Sequence, residues 1–175
     1  VSVELEPLVK GSLLHIDGQL AGPAGDGLRL LRETPIRDAL GDQLDSWTLS
    51  GDMSAQVGLA IPLGADAKLA DQQVDVKLAG NRLQLTDLKL DFSEIYGPLR
   101  FTRQQGLSSA GLNARLWQAP VQAQIMERDY DGKLGTQIAL KGAVDSKLLA
   151  QWTQRPELLF MEGEIPYAAR LDLPP

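Results

Sequence analysis

The chain has 175 residues, of which 43% are hydrophobic but only 5% aromatic, so that Leu, Ala, Val and Ile make up most of its apolar content. Its 17 Lys and Arg against 23 Asp and Glu give a net charge of −6, which argues against the basic face of a nucleic-acid-binding protein. The absence of cysteine excludes disulfides, a thiolate nucleophile and cysteine metal sites, and no stretch approaches the ~20 apolar residues of a membrane span.

Apolar residues alternate with polar ones through much of the chain, and this period of two predicts strands with one buried face. The pattern begins at Val1 and is longest at the odd positions of residues 47–63. An unbroken strand of that length would extend roughly 50–55 Å. Gly51 and Gly58 are therefore predicted to be bulges or bends that divide it.

The first departure from alternation lies at about residues 27–44, where apolar residues have nearly helical spacing. Thr34 can act as an N-cap with Pro35 in the first turn, which predicts that a second helical piece begins there. The Gly-rich stretch 22–27 resembles a phosphate-binding loop, but it lacks the Lys-Ser/Thr pair, and Asp26 would repel a phosphate. A flexible linker is the preferred interpretation of this stretch.

Shorter alternating segments follow, and turn signals separate them. These signals are Gly80-Asn81-Arg82, Gly97-Pro98, Gln104-Gln105-Gly106 and Asp131-Gly132. A second helical segment is predicted at about residues 145–153, with Asp145 or Ser146 as its cap and Pro156 as its end. Regular turn signals without long helices favour an antiparallel meander over a βαβ fold.

One stretch of the sequence occurs twice. Gly51–Pro62 aligns without a gap on Gly163–Pro174, and in both copies Gly leads, an acid follows, apolar residues alternate and a Pro ends the stretch. Each copy also follows a helical segment. Repetition at a fixed period is typical of arrays whose units bury their apolar faces on their neighbours. We therefore expect residues 1–175 to be a single fragment of a longer array, with repeat copies at 27–63 and 145–174; the first residue, which is not Met, agrees with this.

No motif predicts catalysis or a bound metal. Glu127–Gly132 resembles the first half of a calcium loop, but Ile138 occupies the position of the essential bidentate acid, so a hairpin with an Asp-Gly turn is preferred. His15 is the only histidine, and one histidine makes neither a triad nor a histidine-rich metal site, although a His–carboxylate pair stays open. We expect no enzyme activity, no metal and no cofactor.

The run Leu28–Gly41, the segment Trp47–Gly51 and the closing Gly163–Tyr167 resemble YhdP-type members of the AsmA-like superfamily. The resemblance covers most of the chain and rests on apolar spacing and a Leu-Arg-x-Thr-Pro-type stretch. It implies a large Gram-negative envelope protein, anchored in the inner membrane by an N-terminal helix and otherwise periplasmic. It also implies repeats that build a long curved β-sheet with a concave apolar groove, implicated in moving phospholipids to the outer membrane.

The predicted fold is thus mainly β, a long curved antiparallel meander with the two short helical segments. Its apolar face would bind phospholipid acyl chains, each buried methylene contributing about 0.8 kcal/mol, and would be continued by neighbouring repeats of the same chain. The residues expected to line this groove are Met53, Val57, Leu59, Ile61, Val76, Leu78, Leu90, Leu112, Leu116, Ile138, Leu140, Tyr167 and Leu171.

Two other functions stay open from the residues alone. Alternating Leu and Val normally form the core of a two-layer β-fold, so the chain could be a filled β-sandwich that serves as a spacer or a protein-interaction scaffold of the envelope. An enzyme acting on carbohydrate or peptidoglycan would need two carboxylates converging in a cleft, which a sequence does not display.

Overall fold

The computed structural model describes residues 2–5, 13–33, 45–63, 71–102, 104–130, 133–160 and 163–173. In these ranges the strands are β1 (Ser2–Leu5), β2 (Leu13–Pro23), β3 (Trp47–Ser50), β4 (Asp52–Pro62), β5 (Asp71–Leu85), β6 (Leu90–Thr102), β7 (Gly106–Leu116), β8 (Ala119–Tyr130), β9 (Lys133–Asp145) and β10 (Glu164–Leu173). The helices are α1 (Ala24–Glu33), α2 (Ser146–Thr153) and a 3-10 helix at Pro156–Phe160. Neither α-helix has the length and apolar character needed to cross a lipid bilayer within the part of the chain that is described.

All ten described strands belong to one antiparallel sheet. Nine of them follow the order β1-β2-β4-β5-β6-β7-β8-β9-β10, while β3 pairs with one end of β5. The sheet is open, with β1 and β10 at its edges. The predicted antiparallel meander is confirmed. A sandwich requires two packed sheets, and the described strands form one.

The long alternating run bends at Gly51. β3 pairs with β5 over Arg82–Leu85, whereas β4 pairs with the earlier residues of the same strand, from Leu78 back to Asp71. Gly51 between them has a φ of +94°, which glycine adopts without a Cβ clash. The predicted break at Gly51 is confirmed. Gly58, in contrast, lies inside β4 and pairs on both sides, so the break predicted there is wrong.

Two predicted turns are also wrong. The stretch Gly80–Arg82 lies inside β5, where register shifts against β6 mark a β-bulge rather than a chain reversal. Gly97-Pro98 likewise lies within β6, with Gly97 paired to Leu78. Cross-strand pairing between β5 and β6 continues through both stretches, although their residues would favour turns in isolation. The turn predicted at Gln104 is confirmed.

Helix α1 begins directly after β2, so the flexible linker predicted for 22–27 is wrong. The glycines of this stretch instead allow the helix to approach the sheet closely. A Cβ atom on Gly25 would lie 3.0 Å from the Leu49 carbonyl oxygen, and one on Gly27 would lie 2.2 Å from the Met53 Cε. The second helical piece predicted from Thr34 lies outside the described residues.

Helix α2 confirms the second predicted helical segment. Asp145 is its N-cap and accepts a hydrogen bond from the Lys147 N–H at 2.8 Å. The helix ends at Gln154, which has a left-handed φ of 58°, two residues before the predicted stop at Pro156. Pro156 begins the 3-10 helix instead, in agreement with its preference for a first turn.

Both α-helices and the turns at 86–89 and 117–118 lie at the same end of the sheet, because each follows a strand that runs in the same direction. This end is called the helical end below. β7 and β9 are next-nearest neighbours, yet Cα atoms of the two approach within 8 Å. Strands two places apart lie about 9.5 Å apart in a flat sheet, so the sheet is strongly curved here.

The buried core lies on one face of this curved sheet. Its members come from the adjacent strands β5 to β8 of the one sheet. They are Leu78, Leu85, Phe92, Ile95, Leu112, Leu116, Val121 and Ile125.

Candidate functional site

Strand register places apolar and polar side chains on opposite faces of the sheet. Met53 pairs with Leu78 and Ala55 with Val76. The polar residues that alternate with them, Ser54 and Gln56, pair with Lys77 and Asp75. The side carrying the buried core is called the apolar face and the other the polar face. All the residues predicted from the sequence to line a groove lie on the apolar face, and the structure therefore brings them onto one surface.

The middle of the apolar face is filled. Leu78, Leu112 and Leu116 are between 4% and 8% exposed and belong to the buried core. Of the other predicted groove residues, the ones that pack against this core and stay partly exposed are Met53, Val76, Leu90, Ile138, Leu140 and Tyr167. A ligand would reach these positions only at the surface of the packed cluster.

The apolar face is open near the end of β2 and β4 that lies opposite the helical end. Val57, Leu59 and Ile61 lie outside the core cluster and are partly exposed. They pair with Gly18, Ile16 and Leu14 of β2, and Ile16 and Leu14 are also partly exposed. These apolar residues, Leu14, Ile16, Val57, Leu59 and Ile61, are called the open strip. Leu171 on β10 also lies outside the cluster and is partly exposed.

The glycines of the apolar face distinguish its filled and open parts. A Cβ atom on Gly142 would lie 3.0 Å from the hydroxyl of Tyr167, and one on Gly97 would lie 2.7 Å from the Gly111 carbonyl oxygen. A Cβ atom on Gly18 would have no atom within 4 Å. Because Gly18 pairs with Val57, there is free space directly over the open strip.

Sequence reasoning missed Asn81, which holds the bend at Gly51. Its side chain is fully buried, donates from Nδ2 to the carbonyl oxygens of Ser50 at 3.2 Å and Asp52 at 3.0 Å, and accepts from the Ala79 N–H at 2.8 Å. These bonds satisfy the backbone where β3 separates from β4. The dipeptide Gly80-Asn81 is a common turn signal, which concealed this role.

The polar face carries ion pairs between neighbouring strands. The Arg100 guanidinium donates to Asp75 at 2.5 Å and, with a second hydrogen bond from Gln73, holds the pKa of that carboxyl below its usual value. Arg82 lowers the pKa of Asp91 in the same way. These pairs are solvent-exposed, so each contributes little to stability. They mark the polar face as the water-facing side.

Two of the described ionisable side chains, Tyr167 and His15, lie on opposite faces of the sheet. Tyr167 has a raised pKa because of its partial burial. His15 is exposed and lies on the polar face in a depression of about 600 Å³ together with Asp17, Gln56 and Asp75. In the described ranges no three His, Asp or Glu residues are grouped as metal ligands. Glu127 to Tyr130 lie in β8 paired with β9, which confirms the hairpin interpretation; Asp131 and Gly132 lie outside the described residues.

A sequence model of the family described as "YhdP protein" matches residues 1–175, the whole sequence. The chain belongs to the YhdP family. This confirms the family predicted from the resemblance of Leu28–Gly41, Trp47–Gly51 and Gly163–Tyr167.

Among curated YhdP-family proteins, the chain is similar to the intermembrane phospholipid transporter YhdP of Escherichia coli (strain K12). The two are 28% identical over 116 residues, which cover 66% of this chain and 9% of that protein. The matched region is thus a small part of a much longer relative. No solved structure gives a significant match to the chain.

Proposed function

We propose that this chain is a non-catalytic segment of a phospholipid transporter that binds acyl chains on its apolar face. The observation that carries the proposal is the open strip, an aliphatic surface with free space above Gly18 on a sheet whose other face is polar. The name of the Escherichia coli relative, an intermembrane phospholipid transporter, agrees with such a cargo.

The binding chemistry needs no specific polar contact. Transfer of each acyl methylene from water to an aliphatic surface contributes about 0.8 kcal/mol. Val57 to Ile61 extend about 13 Å at the rise of a strand, which is shorter than a typical acyl chain. The tail would therefore continue onto neighbouring segments, while the charged headgroup stays at the water-facing rim.

We further propose that the segment lies in the periplasm, within a longer chain anchored in the inner membrane. The two copies of the Gly-led stretch support an array, because the sheet continues past the first copy, from β4 to β5, and the second copy forms the edge strand β10, which a neighbour can continue. In such an array the open strip would form one section of a path between the two membranes, and lipid would move along it by exchange between equivalent aliphatic surfaces.

Photo-crosslinking in the full-length protein tests the proposal. A photoreactive amino acid at Leu59 is expected to give phospholipid adducts detectable by mass spectrometry. The same group at Gln56, on the same strand but exposed on the polar face, is the matched control. Equal adduct yields at the two positions would contradict the proposal.

A charge in the open strip provides a second test. Leu59→Arg lies outside the buried core, so we expect it to retain the fold and reduce phospholipid transfer. Gln56→Arg should change neither. The proposed lipid-binding surface is refuted if Leu59→Arg leaves both the fold and the transfer of lipid intact.

A further inference from the structure

The segments that precede the two repeated glycines differ in their surroundings. Before Gly51, Trp47–Ser50 forms β3 and pairs with β5, the strand that follows β4 in the chain. Leu49 pairs with Leu83, and Trp47 packs against the buried core. The segment is therefore covered by a strand that comes later in the sequence.

The equivalent residues before Gly163 are Leu159 and Phe160, which align with Trp47 and Thr48. They end the 3-10 helix, and their exposed fractions are 53% and 91%. Such a pair of large apolar side chains at one point of a surface is a candidate contact site. Leu159 and Phe160 are called the apolar tip.

The surroundings of Gly163 otherwise reproduce those of Gly51. Both glycines have a φ of +94°, and both carbonyl oxygens accept a hydrogen bond from the first residue of the preceding helix. β10 pairs with β9 as β4 pairs with β2. The difference is that β4 has β5 on its far side, while β10 is the edge of the described sheet.

We propose that the apolar tip is the docking surface for the stretch of protein that follows residue 175 in the longer chain. That stretch would pair with β10 as β5 pairs with β4, and would cross the bend at Gly163 to pair with the segment at Leu159. The inference rests on the array proposed above. The Escherichia coli relative, of which the matched region is 9%, is long enough to contain many stretches of this size.

The alignment with Trp47 and Thr48 predicts different surroundings for the two residues of the apolar tip. Leu159 corresponds to Trp47, which packs against the core, whereas Phe160 corresponds to Thr48, which is exposed. Pairing would require the last residues of the 3-10 helix to extend into a strand, whose successive side chains point to opposite faces. It should therefore cover Leu159 and leave Phe160 accessible. A lipid bilayer in contact with the tip would cover both residues.

Cysteine labelling in the full-length protein tests this inference. The variants are Leu159→Cys, Phe160→Cys and the exposed control Gln154→Cys, and maleimide modification is followed at each site by mass spectrometry. We expect Cys at 159 to react about tenfold or more slowly than Cys at 154, as at sites that react only after local opening. Cys at 160 should react at a rate close to that of the control.

Equal rates at 159 and 154 would overturn the inference. Protection of both 159 and 160 that develops only with vesicles of phosphatidylethanolamine and phosphatidylglycerol would also overturn it, in favour of membrane contact. Hydrogen exchange of the unmodified protein gives a readout independent of the variants, since amides of residues 159–160 should be as protected as those of 47–50. Lipid adducts at Leu59 do not depend on this result, so the two proposals can fail separately.

Discussion

Gly51 and Gly163 have the same backbone φ of +94°, although 112 residues separate them in the sequence. The Gly51 carbonyl oxygen accepts a hydrogen bond from the Ala24 N–H at 2.8 Å, and the Gly163 carbonyl oxygen accepts one from the Ser146 N–H at 3.1 Å. Each glycine thus ties the start of a helix to the start of the strand that returns along the sheet. The two copies share this backbone arrangement in addition to their residue pattern.

Alanine at these two glycines should have unequal effects. A left-handed φ costs a residue with a Cβ atom about 1–2 kcal/mol, and this cost applies to both positions. At Gly51 the added Cβ would also lie 3.0 Å from Asn81 Nδ2 and 3.2 Å from Asn81 Cα, whereas at Gly163 no atom lies within 4 Å. We expect Gly51→Ala to lower the free energy of unfolding by about 1 kcal/mol more than Gly163→Ala, measured by urea denaturation. Equal losses would show that the contact with Asn81 contributes nothing.

Replacement of Asn81 should destabilise the bend. Asn81→Ala leaves the carbonyl oxygens of Ser50 and Asp52 and the Ala79 N–H without this partner, and unsatisfied buried groups cost about 1–3 kcal/mol. Asn81→Asp should be at least as damaging at neutral pH, because a carboxylate donates no hydrogen bond to the two carbonyls. The stability deficit of the Asn81→Asp variant relative to wild type should shrink as acid protonates the carboxyl. A deficit that does not change with pH would contradict this role.

Much of the fold follows from the residues alone, because alternation over Trp47 to Leu63 decides which side chains share a face. Local turn preferences were less informative. Gly80-Asn81 and Gly97-Pro98 are turn signals in isolation, but the pairing between β5 and β6 keeps them within these two strands. The alternating pattern also does not reveal which part of the apolar face is filled. Leu78 and Leu59 look alike in sequence, yet Leu78 belongs to the buried cluster of β5 to β8 whereas Leu59 lies outside it and is partly exposed.

Gly97→Ala should be among the most destabilising glycine substitutions. Its φ is +138°, and an added Cβ would lie 2.7 Å from the Gly111 carbonyl oxygen, which belongs to the backbone and yields little. Overpacking and backbone strain together predict a loss of about 2–4 kcal/mol. Gly111→Ala is the matched control, because no atom lies within 4 Å of its Cβ position. A thermal or urea unfolding experiment should separate the two variants clearly, and similar values would contradict the close approach of β6 and β7.

The ion pair on the polar face should make stability depend on acid. The folded-state pKa of Asp75 is lowered, mainly by its hydrogen bond to Arg100, from an ordinary value of 3.8. The stabilisation it provides is therefore complete above pH 3.8 and is lost as the pH falls through the lower folded-state value. We expect Asp75→Asn to reduce the acid sensitivity of unfolding slightly and to leave stability near pH 7 almost unchanged. A midpoint at or above pH 3.8 for the NMR titration of the Asp75 carboxyl would contradict the pairing.

Filling the space above the open strip should separate binding from folding. Gly18→Leu adds a side chain where no atom lies within 4 Å, and a strand-interior glycine is destabilising by about 0.5–1 kcal/mol relative to alanine. The variant should therefore be as stable as wild type or slightly more stable. It should also reduce phospholipid adducts at Leu59, because the leucine occupies the volume that an acyl chain would fill. Gly58→Leu, whose Cβ would lie 3.5 Å from Asp17 on the polar face, should leave the adducts unchanged. If Gly18→Leu is stable and adduct formation persists, acyl chains do not use the space over β2 and β4.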